Sequence, residues 1–518
     1  MRKQLLSWLF PAPTLQESSS SQGQQPIFLA QRVGRLLAIG ILALLLLLQG
    51  WALLKFPYFT PASSVEETAY AYTGANNFIT YGFWHSGFLQ NYSNSPDPLD
   101  HPYVYNHYPP GPDILVALLL ILSGGSYWFV NFAFALIFVI GVPFYLKFTE
   151  HILQKAGLTG ASYTLPLLAP WSIVAIMSRF PSSPQLLFIF APLVTLQHYY
   201  QTHRKRFYYL TLAVGFVSSL YLEYNVLISV LVCWILLYWT QIVPLKRKDL
   251  WAFSGILVLG VVLHLIQNLL FLGPEIFIKE LWITISNRTT GIPSKEEVEE
   301  FYRSIFVVHH GARPTQLGIL ATQIWKNFDF PGRSFVLLSV PLLIGLVNFK
   351  RIAPSSEPSE MHGESQQGNF VYLGKVWFWI VGTVLLPTIA FPAYGQEFSL
   401  RSSGSNIYFL AIGAVIVLGY GIRAVLQTRD TPVSGQRPIQ ILGFSLIVLL
   451  ILLSPVTEAI KTWGGLPSLI FLGGYTIALI LGLTALLRPT LIRVAIQHPI
   501  QLVRISSLLI SGPLVLAA

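Results

Sequence analysis

Charged residues are scarce in this sequence. Asp, Glu, Lys and Arg make up 10% of the 518 residues, whereas a soluble domain carries about 25%. Hydrophobic residues account for 53% of the chain, and the mean hydropathy is +0.59. These values exclude an ordinary soluble enzyme. They indicate an integral membrane protein with many helices, for which the lipid bilayer is the first partner.

Cysteine is nearly absent as well. The single cysteine, Cys233, excludes a disulfide scaffold, and an aromatic content of 14% excludes a disordered chain. The net charge of +10 has a topological meaning in a membrane protein, because Lys and Arg collect in cytoplasmic loops. We therefore expect no nucleic acid partner.

Long apolar runs predict a bundle of about 12 or 13 transmembrane helices, each needing about 20 residues. A flexible cytoplasmic tail, residues 1–35, precedes the first span, Leu36 to Leu54. The final residues, 500–518, form either a thirteenth span or an interfacial helix. The spans between them are predicted near 126–146, 162–178, 185–199, 207–222, 224–243, 251–272, 334–349, 373–391, 405–422, 438–456 and 467–487.

One further apolar run, Ile114 to Leu122, is too short to cross a bilayer. If it does not cross, the basic loops 203–206 and 246–248 face the cytoplasm, and the short cytoplasmic segments hold 21 of the 32 Lys and Arg residues. We therefore predict that 112–123 is an interfacial or re-entrant helix on the outer side.

This topology divides the chain into a tail and one transmembrane domain, residues 36–499, with its N-terminus in the cytoplasm. The domain has two large outer loops, 55–125 and 274–333, and its other loops are short. Functional chemistry is therefore expected on the outer face. Within the span 251–272, we expect His264 to hydrogen-bond to a neighbouring helix.

The first outer loop opens with a pair of acids, Glu66 and Glu67, in a predicted helix that ends at Gly82. Ala71, Ala75 and Phe78 recur at helical spacing, so they predict one packed face. An acid at this position can act as a general base near the membrane surface. The alternative role is stabilisation of the helix N-terminus through the helix dipole.

Further along the same loop stand Asp97, Asp100 and His101, followed by His107 and Tyr108 before two prolines. The first three are candidate ligands for a divalent cation, the one cofactor that the sequence suggests. Their spacing matches no strong metal signature, and turn formation is the alternative role for the aspartates.

The order of these features resembles the first outer loop of the GT-C membrane glycosyltransferases, in the branch that includes the protein O-mannosyltransferases. The features are an acidic pair, a His-Tyr-Pro-Pro box and a short apolar run that ends in Gly124-Gly125. Relatives carry Asp-Glu where this chain has Glu66-Glu67, and His-Pro-Pro where it has His107-Tyr108-Pro109-Pro110. The two large outer loops agree with the plan of that family.

The resemblance points to further candidates in other outer loops. Arg179 and Arg401 are candidates to hold a lipid phosphate, since a guanidinium can bind it through two hydrogen bonds. The alternative for both is an ordinary interfacial arginine. Gln185 and Glu223 depart from the family pattern, in which an Asp and a Lys are usual. Glu223 would otherwise be a snorkelling or helix-capping acid, and Glu397 lies in the loop that carries Arg401.

The resemblance implies an enzyme of the bacterial plasma membrane. It would transfer a sugar from a polyprenyl-phosphate donor to an acceptor hydroxyl on a lipid, polysaccharide or protein, with inversion. Glu66 and Glu67 would supply the base, and Trp84, Phe88 and Tyr103 would border the sugar. Two alternatives from other classes are a secondary transporter or flippase, and an inactive relative that only binds lipid-linked sugar.

Overall fold

The computed structural model describes residues 65–91, 104–105, 109–156, 184–289 and 363–390, with isolated positions between 408 and 484. Most of these residues are helical, which confirms the predicted all-α class. The elements are α1 (Val65–Tyr81), β1 (Gln90–Asn91), β2 (Val104–Tyr105), α2 (Gly111–Leu122), α3 (Tyr127–Lys155), α4 (Gln185–Thr202), α5 (Lys205–Tyr221), α6 (Tyr224–Thr240), α7 (Arg247–Leu272), α8 (Pro274–Thr289) and α9 (Gly363–Ala390).

Two of these helices, α3 and α7, are long and apolar enough to span a membrane. They contain 29 and 26 residues, which gives lengths of roughly 40 Å at 1.5 Å per residue. Predicted spans coincide with α3, α4, α5, α6, α7 and α9. The predicted spans 36–54, 162–178, 334–349, 405–422, 438–456 and 467–487 lie wholly or largely outside the described residues, and the tail 500–518 lies wholly outside them.

The helices α3 and α4 run parallel to each other at close range. A methyl group at Gly141 would lie 2.8 Å from the backbone nitrogen of Leu187. Further along both helices, His151 and Gln197 line the same cavity. Small residues permit this close approach, as is typical where helices pack without a hydrophobic driving force between them.

Helix α5 returns antiparallel to α4, and α7 runs parallel to α5. Between α4 and α5, the buried hydroxyls of Thr195 and Thr211 are 2.9 Å apart, and Ser218 Oγ donates to the carbonyl of Phe188. Between α5 and α7, a methyl group at Gly260 would lie 1.9 Å from Ser219 Oγ. Hydrogen bonds and small residues therefore set both contacts.

One end of the bundle collects basic side chains, and we call it the basic end. Lys155 Nζ at the end of α3 donates to the carbonyl of Ile242 at 3.0 Å. The backbone nitrogen of Lys246 donates to the hydroxyl of Tyr200 at 3.1 Å. The predicted cytoplasmic loops 203–206 and 246–248 therefore lie at the same end as the C-termini of α3 and α4.

The opposite end is stepped, because α3 and α7 continue where α4, α5 and α6 stop. Gly141 is level with Leu187, near the start of α4, and Gly260 is level with Ser219, near the end of α5. The residues of α3 before Gly141 and of α7 after Gly260 therefore extend beyond the shorter helices by roughly 15 to 20 Å.

Helix α2 runs from the level where α5 ends towards the level where α3 begins. A methyl group at Gly111, its first residue, would lie 2.3 Å from the carbonyl oxygen of Leu220 at the end of α5. The last residue of α2, Leu122, is followed within five residues by the start of α3 at Tyr127. Twelve residues give a rise of about 18 Å. Both ends of α2 therefore lie at the stepped end of the bundle.

Helix α1 packs against α2 through the face that its spacing predicted. Ala71, Ala75 and Phe78 are 3%, 0% and 2% exposed, and Gly82 follows the helix with a φ of 89°. A short hairpin then forms, in which Gln90 pairs with Tyr105.

Two hydrogen bonds fix this layer to the rest of the bundle. Gln90 Nε2 donates to the carbonyl of Pro109 at 3.1 Å, and Gln267 Nε2 of α7 donates to the carbonyl of Gly87 at 2.7 Å. The predicted first outer loop is thereby tied to the segment that leads into α2 and to α7.

Candidate functional site

The stepped end of the bundle buries a carboxylate, Asp113, in the first turn of α2. Only 2% of this residue is exposed. Pro110 precedes the helix, and Gly111 packs where a larger residue would meet Leu220. The N-terminus of a helix favours a negative charge, so this local sequence places an acid deep beside the end of α5 and partly compensates its burial.

Tyr221 and Glu223 complete a group of polar side chains at this level. Tyr221 is 6% exposed, and both Asp113 and Glu223 act on it electrostatically. We call the end defined by Asp113, Tyr221, Glu223 and Gln185 the acidic end. A phenol near carboxylates can donate one hydrogen bond while the acids accept others.

Glu223 is the residue immediately before α6, but its side chain does not cap that helix. Helix capping was one of the two alternative roles that the sequence left for this acid. Its position between α5 and α6 agrees with the turn predicted there. The carboxylate therefore remains a candidate for contact with a substrate.

Gln185 is the first residue of α4 and is 4% exposed. Within the part of the chain that the structure describes, its Oε1 has no hydrogen-bond partner. It precedes Phe188 by one turn, and the ring of Phe188 is 5.1 Å from that of Tyr221. A buried acceptor left without a donor costs about 1–3 kcal/mol. A ligand hydroxyl bound here would remove that cost.

His264 confirms the predicted contact between helices. Its Nδ1 is 2.6 Å from the hydroxyl of Tyr224 on α6, and its carbonyl accepts from Asn268 Nδ2 at 3.0 Å. The bond joins the extended part of α7 to the start of α6, one residue after Glu223. It therefore fixes one wall of the acidic end.

A second polar contact fixes α1. The hydroxyl of Tyr72 donates to Asn131 Oδ1 at 3.4 Å, and Asn76 Nδ2 donates to the hydroxyl of Tyr127 at 3.4 Å. Burial raises the pKa of Tyr72 above its ordinary value, so the phenol stays protonated and can keep donating. These bonds hold the helix whose first turn contains Glu66 and Glu67.

Several predicted site residues lie outside the described part of the chain. Only the backbone of Glu66 and Glu67 is described, as part of α1. Trp84 is described and is 85% exposed, and its ring contacts that of Phe88 at 4.7 Å. The candidates that fall outside are Asp97, Asp100, His101, Tyr103, His107, Tyr108, Arg179, Glu397 and Arg401.

The structure places two of the predicted residues, Gln185 and Glu223, at the same end of the bundle, and adds two there that the sequence did not single out, Asp113 and Tyr221. Asp113 had a signal in the sequence, because it is an acid at the start of an otherwise apolar run. Tyr221 had none, since tyrosine is common at helix ends. Within the described ranges, no group of three or more His, Cys, Asp and Glu side chains could hold a metal ion.

The acidic end therefore combines carboxylates, a phenol and a carboxamide that still accepts a hydrogen bond. Such a set recognises a ligand with several hydroxyl groups. Comparison with known proteins identifies no relative: no protein-family model, no curated protein and no solved structure matches the chain significantly.

Proposed function

We propose that this protein is a multi-pass membrane glycosyltransferase that moves a sugar from a polyprenyl-phosphate donor to an acceptor hydroxyl on the outer face. The observation that supports it best is the acidic end itself. There, Asp113, Tyr221 and Gln185 are buried together at a level that α3 and α7 exceed by roughly 15 to 20 Å. A lipid-linked sugar would need polar groups at this depth.

The exposed surface of α7 supports a membrane setting. Only 22% of its most apolar window is buried, whereas the core helix of a soluble protein is mostly buried. Its outward side chains are large and apolar, and Trp251 and Leu270 are 65% and 80% exposed. Lipid is the solvent in which such a surface is stable.

The charges support the orientation. Short basic loops face the cytoplasm in membrane proteins, which would place the basic end inside and the acidic end outside. In this orientation α2 is the re-entrant form of the two that the sequence left open, because it starts deep and rises towards the outer surface. A donor on that side would be lipid-linked, since nucleotide sugars are absent outside the cytoplasm.

The proposed reaction is a single displacement. The carboxylate of Glu66, with Glu67 beside it, takes the proton of the acceptor hydroxyl. The acceptor oxygen bonds to the anomeric carbon as the bond from that carbon to the phosphate oxygen breaks. The phosphate leaves with the electron pair, and the configuration inverts. Arg179 and Arg401 stabilise the charge that develops on the phosphate.

The other candidates would hold the sugar and the lipid phosphate. Gln185 accepts from a sugar hydroxyl, and Asp113 and Glu223 accept from others. His107, Tyr108 and Glu397 belong to outer loops in the proposed topology and would contact the donor. A divalent cation at Asp97, Asp100 and His101 would assist the phosphate if one is bound.

One packing contact supports the role of Arg401. Tyr408, seven residues later, is fully buried, and its ring lies 6.1 Å from that of Phe190 in the first two turns of α4. Tyr145 donates to the carbonyl of Tyr408 at 3.4 Å. Tyr408 is therefore anchored beside the helix that starts at Gln185.

The test is a transfer assay with the full chain reconstituted in lipid. Glu66→Gln and Glu67→Gln should each lower turnover, the more essential of the two by roughly 10²- to 10⁴-fold, the usual contribution of a general base. Glu275→Gln, an exposed acid in the first turn of α8, is the matched control and should retain activity. Full activity in both single variants and in the double variant would disprove the base assignment.

Mass spectrometry of a deletion strain identifies the donor and separates the alternative classes. A glycosyltransferase predicts that a lipid-linked sugar accumulates and that a glycosylated product disappears. A flippase predicts accumulation of the lipid-linked sugar on the cytoplasmic side only. A binding protein without transferase activity predicts that the product persists.

A further inference from the structure

A second polar site lies at the basic end, about as far from the acidic end as the bundle allows. A cavity of about 90 Å³ opens between α3 and α4. A single water needs only about 10–15 Å³ of cavity volume, so this cavity is large enough for a small polyatomic ion. Its lining is polar apart from Val194 and consists of Lys147, Glu150, His151, Gln154, Gln197, His198 and Gln201.

The acceptor in this cavity is already engaged. Glu150 is 6% exposed, and its Oε2 lies 3.6 Å from Lys147 Nζ. Its Oε1 accepts from Gln154 Nε2 at 3.1 Å. All three residues belong to α3, so the carboxylate is satisfied within its own helix and is not available to attract a cation.

By contrast, the cavity contains nitrogen atoms that have no hydrogen-bond partner among the described residues. The amide nitrogen of Gln197, a residue only 8% exposed, has no hydrogen-bond partner among the described residues. His151 Nε2 also has no partner among those residues, and it donates in the tautomer that carries its proton there. An amide NH₂ can only donate, so a group that binds in the cavity against Gln197 has to accept a hydrogen bond.

The surrounding charge is positive. Lys147 and Lys155 act electrostatically on His151, and Arg204, Arg206 and Lys147 act on His198. Glu150 is the one acid that lines the cavity. An anionic acceptor is therefore favoured over a neutral one, since cations and oriented donors both stabilise it.

We propose that this cavity binds a phosphate group, presented either by an anionic lipid headgroup or by free phosphate. Lys147, which also pairs with Glu150, contributes positive charge together with Arg204 and Arg206 near His198, and Gln197 supplies a hydrogen bond. Basic pockets between membrane helices on the cytoplasmic side are known to take anionic headgroups. The site is independent of the proposed transfer reaction, because it uses none of the residues of the acidic end.

The test measures binding by the full chain purified in detergent and in lipid nanodiscs. Inorganic phosphate is titrated calorimetrically in detergent, and native mass spectrometry compares retained lipid from phosphatidylglycerol and phosphatidylcholine nanodiscs. Lys147→Gln and Gln197→Leu should each weaken binding of the phosphate group about tenfold or more. Lys248→Gln removes an exposed cation from the same end outside the cavity and should leave binding unchanged.

Retention of phosphatidylglycerol that is lost in both cavity variants would identify a lipid headgroup. Calorimetric binding of phosphate without lipid retention would identify free phosphate. The proposal is overturned if wild type binds neither, or if Lys147→Gln and Lys248→Gln behave alike. Lys147→Gln changes a side chain that is 34% exposed, so it tests the site even if Gln197→Leu fails to fold.

Discussion

The two ends of the bundle each bury an acid, but they surround it differently. At the basic end, Glu150 is paired by Lys147 and Gln154 from its own helix. At the acidic end, Asp113 lies near Tyr221 of another helix, and a second acid, Glu223, acts on the same tyrosine. An acid paired within its helix adds little to function, whereas acids gathered from separate elements are costly to assemble and are typical of active sites.

The basic end and the acidic end are expected to face opposite sides of a membrane. Trp84→Cys places a thiol at a position that is 85% exposed beside the acidic end, and Lys248→Cys places one on the exposed surface of the basic end. In sealed, oriented vesicles, a membrane-impermeant maleimide should label one variant and not the other. Native Cys233, 1% exposed, should stay unlabelled. Equal labelling of both from one side would disprove the topology.

The next effect separates the two buried acids. Asp113→Asn removes a charge that would accept a substrate hydroxyl, so transfer should fall about 10- to 100-fold, as for loss of a hydrogen bond to a charged group. Glu150→Gln keeps the shape of the other acid and should leave transfer nearly unchanged. The transfer assay measures both, and thermal unfolding confirms that each variant is folded. An equal loss in both would remove the distinction between the ends.

A smaller effect is expected at the contact between α5 and α7, which sets how far α7 extends beyond α5. Gly260→Ala places a methyl group 1.9 Å from Ser219 Oγ and should destabilise the α5–α7 contact by about 1–3 kcal/mol, the usual cost of overpacking. Gly255→Ala lies on the same helix with nothing within 4 Å and should be neutral or slightly stabilising. Denaturant unfolding in detergent compares the two, and an equal stability would contradict the close packing.

The smallest effect concerns the wall above the acidic end. Tyr224→Phe removes the hydrogen bond to His264 and should lower stability by about 0.6 kcal/mol, the average for bonds between membrane helices. Tyr209→Phe, at a residue 64% exposed, is the control. If the two variants have the same unfolding midpoint, the bond contributes nothing to the wall.

Periodicity and charge predicted much of this arrangement because they report on local structure and on solvent. The packed face of α1, the short helix α2 and the turn at Glu223 all follow from apolar spacing and from where Lys and Arg fall. The bond from His264 to another helix follows from the cost of a polar side chain among apolar ones.

Periodicity and charge did not predict which side chains form the acidic end, because that depends on which helices are neighbours. Asp113 and Tyr221 are 108 positions apart in the sequence, and only the close approach of Gly111 to Leu220 brings them together. The predicted span 162–178 implies that α3 and α4 run in the same direction, but no local pattern encodes that they are neighbours or that His151 is level with Gln197.

The parallel pairing of α3 and α4 also has a consequence during synthesis of the chain. Helix α3 is complete at Lys155, but the helix it packs against ends only at Thr202, 47 residues later (202 − 155). At about 5–20 residues per second, synthesis takes roughly 2–10 s to supply that partner. During this interval Glu150 already has Lys147 and Gln154 within one turn of its own helix. The nascent α3 therefore supplies the counter-ion for Glu150 itself, and this charge is paired before α4 has been synthesised.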